Sequence, residues 1–415
     1  MSPASRPSVP TAPRPSYTPA SDTRFEVDES LLDAARALGP IIREHADDAE
    51  RDRRLARPVI DAMRGAGLFR MFTPRALGGL ETDPVTLARV AEEIAGFDSA
   101  AGWALQAGNT GAWWASHLPA AGVAELFANG PDLLMAASFS PPHRVEEVDG
   151  GYRFTGRGPL ASTIHDSAWV MMTGFVLDGD RPRMTPAGPD VVAVAMRTSE
   201  VDIVDTWRSL GMRGTDSNDA AANGVFVPAS RSFHVAPEFD RARGFEGPLY
   251  RMPALASVSS VVAPVAMAVA RGAIAELRDL AGRKTPLGSM KTLRDRSTTQ
   301  AALAEAEGLL RAARLLFYDT LAATWRRAVA GEAATLEQKA DLMLAGVHAV
   351  RSAARAADLV HRTCGTSGIY ARNRLERHFR DAHTVSHHGF LCESRLETVG
   401  QVFLGVEPEF AMVAF

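Results

Sequence analysis

Four of the chain's eleven histidines lie within twelve residues near the C-terminus, in the segment HFRDAHTVSHHG from 378 to 389. Histidine can bind a metal or exchange a proton near neutral pH, so the segment is a candidate for either chemistry. His383 and His387 are four residues apart, which would place both on one face of a helix. No HExxH glutamate accompanies them and no other acid is placed to complete a site, so we predict no bound metal.

The composition excludes several classes of protein. Charged residues make up 23% and hydrophobic residues 46% of the chain, as in soluble globular proteins, and the net charge of −4 gives no basic surface for nucleic acid. Cys364 and Cys392 form neither a disulfide framework nor a CxxC zinc motif, which favours a reducing cytoplasm. The N-terminus lacks the pattern of a signal peptide, and no stretch of about 18 uninterrupted apolar residues predicts a membrane span.

The sequence pattern divides the chain into four parts. Residues 1–24 contain six prolines among serines and threonines, which predicts a disordered tail. Residues 25–135 show helical periodicity and predict an N-terminal helical domain. Residues 136–240 contain six short β-like runs separated by turn residues, which predict a compact β-barrel or sandwich. Residues 241–415 return to long helical periods, which predict a C-terminal helical bundle.

The predicted elements are specific enough to test. The N-terminal helices are predicted at 58–67, 84–96, 99–116 and 119–129. The C-terminal helices are predicted near 256–282, 289–330, 335–363, 374–388 and 393–404. This order of elements differs from βαβ alternation, and neither GxGxxG after a strand nor GxxxxGK is present. The sequence therefore predicts neither a Rossmann dinucleotide site nor a P-loop.

Four phrases resemble the acyl-CoA dehydrogenase superfamily when they are taken in combination. They are GAGLFRMFTPRALGGLE, GYRFTGRGPLASTIHDSAWV, GMRGTDSNDAAANGVFVP and GTSGIYARNRLERHFRDAH, and the resemblance spans roughly residues 25–405. It implies a mainly α fold with a central β-domain, in which an N-terminal helical domain, a β-barrel or sandwich and a C-terminal four-helix bundle follow in order. It also implies a homotetramer.

A count along the histidine segment selects a branch of that superfamily. Members that act on acyl-CoA often place a glutamate base eight residues after the aspartate of an arginine-aspartate pair. Counting from Asp381, that position is Gly389, and the nearest following carboxylate is Glu393. The chain instead resembles the two-component flavin monooxygenases through His388, seven residues after Asp381, and through Ser162 in PLASTIHDSAW.

That resemblance implies an oxygenase component and its chemistry. A separate NAD(P)H:flavin reductase supplies FADH2 or FMNH2, which reacts with O2 to give a C4a-hydroperoxide, and an aromatic or polycyclic small molecule is hydroxylated. The alanine- and arginine-rich composition is compatible with a high-GC bacterial gene and a role in secondary metabolism, such as antibiotic biosynthesis. A hydroxyl acceptor near the flavin N5–H and a tunable acid or base are needed, and Ser162 and His388 are the catalytic candidates.

The resemblance also implies residues that hold the cofactor and line a substrate pocket. The cofactor candidates are Ser138, Ser162, Trp207, Arg213, Ser217, Arg296, Gln300, Gly365 and Thr366. Arg296 and Gln300 resemble residues that reach toward a neighbouring subunit's cofactor phosphate, although the usual RxFG phrase is absent. The substrate-binding candidates are Trp103, Asn109, Trp113 and His388. Each candidate has a structural alternative: a turn hydroxyl for Ser162, a helix-end cap for His388 and core packing for the tryptophans.

Two other functions stay open at this point. The first is an FAD-dependent acyl-CoA dehydrogenase with a displaced base, such as Glu393. The second is a catalytically inactive family member that acts as a binding protein.

Overall fold

The computed structural model describes residues 25–186, 188–235, 244–410 and 413, together with the backbone but not the side chains of residues 140–142. The predicted disordered tail, residues 1–24, lies outside the described residues. The first block of the described chain is helical, as predicted. Its helices are α1 (Glu29–Ala37), α2 (Gly39–Glu44), α3 (Ala46–Asp52), α4 (Arg57–Gly65), α5 (Pro84–Phe97), α6 (Ser99–Ala115) and α7 (Ala120–Leu126).

The second block consists of strands. They are β1 (Met135–Val148), β2 (Gly151–Ala161), β3 (Trp169–Asp178), β4 (Arg181–Pro182), β5 (Met184–Thr185), β6 (Gly188–Pro189), β7 (Val191–Arg197), β8 (Asp202–Val204), β9 (Asn218–Pro228) and β10 (Ser232–Val235). Most of them form one mixed sheet in the order β10-β7-β3-β1-β2-β9-β8, and β4 pairs with β3. Strands β1 and β3 are parallel and the other pairs are antiparallel. The predicted central β-domain is therefore this mixed sheet, whose end strands β10 and β8 are not paired with each other.

The third block is the C-terminal bundle. Its helices are α8 (Ala254–Arg283), α9 (Ser297–Val329), α10 (Leu336–Cys364), α11 (Arg374–Val385) and α12 (Arg395–Phe403). Helices α8, α9 and α10 pack side by side, α5 and α6 pack on α8, and α11 packs on α8 and α10. Helix α8 is long and apolar enough to cross a membrane, but 83% of its most apolar window is buried inside the protein. It is the central helix of the core.

Side chains at helix starts explain where the elements that carry the site begin. The carboxylate of Asp83 accepts a hydrogen bond from the backbone N–H of Thr86 at the start of α5. Asp98 accepts one from the N–H of Ala101 at the start of α6. Each cap satisfies a backbone donor that has no partner within the helix. The Asp98 cap fixes the residue at which α6 begins, and α6 carries Trp103 into the site.

The predicted helix ends agree with the structure to within about two residues except at three ends, one of which belongs to the helix predicted over 119–129, which ends at Leu126. The helix predicted from 289 begins at Ser297, because Pro286, Gly288 with φ +73° and a 3-10 turn at Leu293–Asp295 occupy the preceding residues. The helix predicted over 374–388 ends at Val385. His388 therefore lies in the turn that follows α11. The predicted domain boundaries at 135/136 and 240/241 stay predictions, and residues 236–243 lie outside the described part of the chain.

Candidate functional site

A cavity of about 520 Å³ opens where α6, the sheet, the 205–217 segment and the end of α11 meet. Most of the surface that lines it is apolar, and a few polar side chains converge on it, as is usual for small-molecule sites. Six of the residues that were predicted from the sequence line this cavity together. They are Trp103, Ser138, Ser162, Trp207, Ser217 and His388.

The Ser162 hydroxyl belongs to a chain of hydrogen bonds whose direction can be worked out. Thr215 Oγ1 donates to the carbonyl of Met212 at 2.9 Å. Because each hydroxyl has one proton, Ser217 must donate to Thr215 Oγ1 at 2.7 Å, and Ser162 must donate to Ser217 at 2.7 Å. Trp103 Nε1 donates to Ser162 Oγ at 3.1 Å. The Ser162 oxygen thus keeps one lone pair and can accept a further hydrogen bond, but it has no proton left to donate.

His388 contributes a second polar group. Its Nδ1 is buried and has no hydrogen-bond partner among the described residues. Burial lowers the pKa of His388 to about 4, because the protonated imidazolium would lose its hydration. Its ring meets the Trp103 ring edge-on, with 5.5 Å between centroids. His388 is therefore a neutral imidazole at neutral pH, and its Nδ1 is available to a bound molecule.

Asp381 joins the elements that bear these groups. Its Oδ1 accepts a hydrogen bond from the backbone N–H of Met212 at 2.6 Å, and its Oδ2 accepts one from the Ser99 hydroxyl at 2.6 Å. The carboxylate thereby ties α11 to the 205–217 segment and to the first turn of α6. Burial, together with the nearby Glu50 and Asp98, raises the pKa of Asp381 to about 6 against the lowering effect of the two hydrogen bonds.

Four non-glycine residues beside the cavity adopt left-handed backbone conformations. They are Leu160, Thr163, Met212 and Asp216, with φ values between +52° and +62°. Such conformations cost free energy for residues with a Cβ and persist where surrounding contacts fix them. Here the Thr163 N–H donates to the Thr215 carbonyl at 2.8 Å, and Asp381 holds Met212. The strained backbone holds the Ser162 and Ser217 hydroxyls on opposing segments within hydrogen-bonding distance.

The charge of the lining bears on the kind of base that the site offers. None of the described residues that line the cavity is Asp or Glu, and Gly389 lines it where dehydrogenases that act on acyl-CoA often have glutamate. Glu393, the alternative base, is 71% exposed at its side chain and forms an ion pair with Arg351 at 2.9 Å. The described residues of the lining therefore offer a neutral imidazole and hydroxyl groups, but no carboxylate that could remove an α-proton.

Two of the substrate-binding candidates proved to be core residues. Asn109 does not line the cavity, because its amide is fully used in the core. Its Oδ1 accepts from the Phe72 N–H at 3.1 Å, and its Nδ2 donates to the carbonyls of Leu68 and Leu105. Trp113 is fully buried and donates to the Leu249 carbonyl at 3.2 Å. Its neighbour Trp114 does line the cavity, at helical spacing from Trp103, Gln106 and Thr110 on the same face of α6.

Only some of the cofactor candidates line the cavity. The Arg213 side chain does not line the cavity, since its Nε donates to the Ser209 carbonyl and its guanidinium pairs with Glu50 at 3.3 Å. That Arg213 lies along the flavin ring stays a prediction, and its carbonyl accepts a hydrogen bond from Trp207 Nε1 at 3.0 Å. Four further candidates do not line the cavity of a single chain. They are Arg296, Gln300, Gly365 and Thr366.

The remaining histidines of the segment have separate environments. His383 Nε2 lies 3.0 Å from an oxygen of Asp358, and His387 lies beyond the end of α11, where its Nδ1 approaches the His383 carbonyl at 2.9 Å. The expectation that His383 and His387 share a helix face is therefore wrong. His378 packs against Gly272 of α8, and burial lowers its pKa to about 3.

The groups in the cavity suit a reduced flavin. A reduced flavin carries a proton on N5 and is a hydrogen-bond donor there, whereas N5 of an oxidised flavin is an acceptor. The free lone pair of Ser162 can accept a hydrogen bond from the N5–H of a reduced flavin. Ser162 has no proton left to donate to N5 of an oxidised flavin. The unpartnered Nδ1 of His388 is a second buried polar atom that a bound molecule would satisfy. Ser162, Ser217, Ser138 and Trp207 are the residues that would hold the ring.

We expect the Trp103 hydrogen bond to act on bound flavin only through Ser162. Trp103→Phe keeps the aromatic ring but removes Nε1–H, so Ser162 loses the contact that orients it. The dissociation constant of reduced flavin should rise about three- to tenfold, the usual range for one neutral hydrogen bond. In a Ser162→Ala background the same substitution should have no further effect. Losses that add in the double variant would show that Trp103 acts independently of Ser162.

Comparison with known proteins agrees with this geometry. The model of the acyl-CoA dehydrogenase N-terminal domain matches residues 28–120, and that of the C-terminal domain matches residues 260–393. The indole-3-acetate monooxygenase of Pseudomonas putida is 31% identical over 385 residues, which cover 92% of this chain and 94% of that protein.

Two further relatives are named or described with a reduced flavin. The oxygenase component of the FADH2-dependent resorcinol hydroxylase of Rhizobium sp. strain MTP-10005 is 27% identical and covers 91% of this chain and 95% of its own. The structure of XiaF from Streptomyces sp., in complex with FADH2 and glycerol, superposes with a TM-score of 0.85 at 25% identity, covering 92% and 96% of the two chains. The chain belongs to the acyl-CoA dehydrogenase superfamily, in its branch of flavin-dependent monooxygenase oxygenase components.

Proposed function

We propose that this protein is the oxygenase component of a two-component monooxygenase that hydroxylates a small aromatic molecule at the expense of reduced flavin and dioxygen. The observation that carries the proposal is the Ser162 hydroxyl, which lines the cavity and is left by its hydrogen bonds as an acceptor only. An acceptor at this point suits the reduced cofactor. A separate flavin reductase supplies that cofactor, as the name of the resorcinol hydroxylase component implies for that relative.

A bound reduced flavin supplies two electrons to dioxygen, so that one oxygen atom enters the aromatic ring and the other leaves as water. The chain's own residues bind, orient and handle protons. Ser162 would accept a hydrogen bond from the cofactor, and Trp103 holds Ser162 in place. The neutral imidazole of His388 can accept a proton or a hydrogen bond from the substrate or from the oxygen being transferred. The apolar lining excludes water, which protects a reactive oxygen species from side reactions.

A turnover assay tests this proposal. The protein is mixed aerobically with chemically reduced FMN or FAD and a panel of phenols and indoles, and products are identified by mass spectrometry. We expect a product that is one oxygen atom heavier than its substrate, formed only when reduced flavin is supplied. Reactions with oxidised flavin alone are the matched control. The absence of any hydroxylated product across the panel with both flavins would count against the proposal.

The dehydrogenase alternative predicts a different result. A dehydrogenase would retain yellow FAD through purification and would pass electrons from an acyl-CoA to a dye. The described residues of the lining include no carboxylate base for that reaction, and Glu393 is paired with Arg351 in an exposed position. We therefore expect no dye reduction with acyl-CoA substrates. An inactive binding protein would fail both assays, and failure to bind either redox state of flavin would identify it.

We also propose that the chain forms a homotetramer. Two features support this. Arg296 and Gln300 do not line the cavity of one chain, as expected if they serve a neighbouring subunit's cofactor. Apolar side chains of the bundle are exposed in the single chain, among them Leu315, Leu316, Val329, Phe403 and Leu404. Sedimentation equilibrium measures the mass directly, and a monomer would contradict the proposal.

Cytoplasmic location and a role in secondary metabolism complete the proposal. Both cysteines are free thiols, and Cys364 is buried where burial raises the pKa of its thiol to about 12, which suits a reducing compartment. Genes for a flavin reductase and for biosynthetic enzymes beside this protein's gene would support the metabolic role, and a catabolic gene neighbourhood would oppose it.

A further inference from the structure

The cavity lacks a group that would neutralise an anionic ligand. No lysine or arginine is found among the described residues that line it. The polar side-chain groups of the lining are one amide, Gln106, together with hydroxyls, three histidines and the indole N–H groups of Trp103, Trp114 and Trp207. The charge of the cavity therefore depends on those histidines.

None of the three histidines gives the buried cavity a positive charge. His388 is neutral at pH 7, since burial lowers its pKa to about 4. His383 Nε2 lies 3.0 Å from a carboxylate oxygen of Asp358. With that carboxylate ionised, the pair has a net charge of zero or −1, whichever state His383 adopts. His387 is solvent-exposed, where water and salt screen a charge.

The fixed charges just outside the lining lie in a separate cleft, which is lined by nine arginines and three carboxylates, and in the buried Asp381. The Asp381 carboxylate lies behind Met212, which lines the cavity, and with a pKa of about 6 it is mostly ionised at pH 7.5. Arg208 and Arg213 line a second cleft, which meets the cavity only at Ser209. Asp205 lies 2.7 Å from Arg208 and also pairs with Arg53, and Glu50 lies 3.3 Å from Arg213 and also pairs with Arg377 and Arg380. These cations belong to the neighbouring cleft, and none of them lines the cavity.

We propose, as a refinement that rests on the proposed function, that this site selects uncharged aromatic substrates and rejects those that carry a carboxylate. An ionised carboxylate loses its hydration on entering an apolar cavity, and the loss is large unless a cation or several donors replace the water. The relative at 31% identity is named for indole-3-acetate, which carries such a carboxylate. The substrate of this chain thus differs in charge from that compound and keeps a neutral hydrogen-bonding group.

Indole-3-acetamide and indole-3-acetate form a matched pair that differs chiefly in charge. Their dissociation constants for the full-length protein are measured at pH 7.5 by titration calorimetry, without flavin and with reduced flavin under anaerobic conditions. A second neutral and anionic pair, 4-hydroxyphenylacetamide and 4-hydroxyphenylacetate, repeats the comparison with a phenol. We expect each amide to bind at least about tenfold more tightly than its carboxylate.

Three outcomes would overturn the proposal. They are equal or tighter binding of the carboxylates, failure of both amides to bind at millimolar concentration, and a preference for carboxylates that Arg208→Gln or Arg213→Gln abolishes. The last would show that the second cleft recognises the charge. The experiment measures binding rather than turnover, so it is independent of the proposed function. Amide selectivity without hydroxylation in the turnover assay would refute only the proposed function.

Discussion

His388→Ala should lower the rate of hydroxylation at least about 100-fold while changing the dissociation constant of reduced flavin less than about threefold. A positioned acid or base commonly contributes a factor of about 100 to 10,000 to catalysis. His388 meets the geometric conditions for that role, because its Nδ1 is buried without a partner and its ring abuts Trp103 beside Ser162. Rapid mixing with substrate and oxygen measures the rate, and anaerobic titration measures the binding.

A histidine away from the cavity provides the control. His45 is partly buried and pairs with Asp48 at the junction of α2 and α3, so His45→Ala should leave both quantities unchanged. The pH dependence offers a further check. With a pKa of about 4, His388 stays neutral from pH 6 to 8, and the rate should show no protonation step of His388 in that range. Equal losses of rate and flavin binding in His388→Ala would make this residue structural.

Glu92→Gln should destabilise the protein by about 3 to 5 kcal/mol, the usual cost of breaking a buried ion pair from one side. Glu92 of α5 is almost fully buried and accepts hydrogen bonds from Arg271 of α8 and from Arg314 and Tyr318 of α9. Burial alone would raise the pKa of Glu92, but Arg314 and Arg271 outweigh it and lower that pKa to about 2. Urea unfolding of both proteins measures the difference in the free energy of unfolding.

The direction of the pH effect follows from that lowered pKa. The contribution of Glu92 is fully present above its ordinary pKa of 4.5 and is lost as the pH falls toward 2. The difference between the wild type and Glu92→Gln should therefore shrink over that interval. Asp279, in an exposed pair with Arg283 on α8, is the matched control, and Asp279→Asn should cost less than about 1 kcal/mol. A loss of similar size in both variants would contradict this account.

Much of the fold was predictable because residues that begin or end helices mark the helix boundaries in the sequence. Proline or a capping aspartate begins α5 and α6, and apolar residues at helical spacing run through α8 and α10. The predicted strand block is the mixed sheet, although periodicity could not show that β1 and β3 are parallel. Nor could it show that α11 stops at Val385, because a local turn rather than a breaker residue ends that helix.

Residues of the site could be predicted only where they lie in or beside short sequence phrases that resemble the family. Ser162, Ser217, Trp207 and His388 lie in or beside such phrases, and the structure places all four on one cavity. Asn109 and Trp113 were mistaken for pocket residues because the side of α6 that faces the cavity depends on tertiary packing. The hydrogen bond from the Met212 N–H to the Asp381 carboxylate joins residues 169 positions apart. One sequence alone gives no signal for such long-range contacts.

The most direct test of the central claim follows the oxygen atoms in a single turnover. The protein, one equivalent of reduced flavin and the aromatic substrate found by the turnover screen are mixed anaerobically and then exposed to ¹⁸O2. We expect the product to gain one ¹⁸O atom per reduced flavin consumed and His388→Ala to slow its formation sharply. Oxygen derived from water in the product, or flavin oxidation with no hydroxylated product, would contradict it.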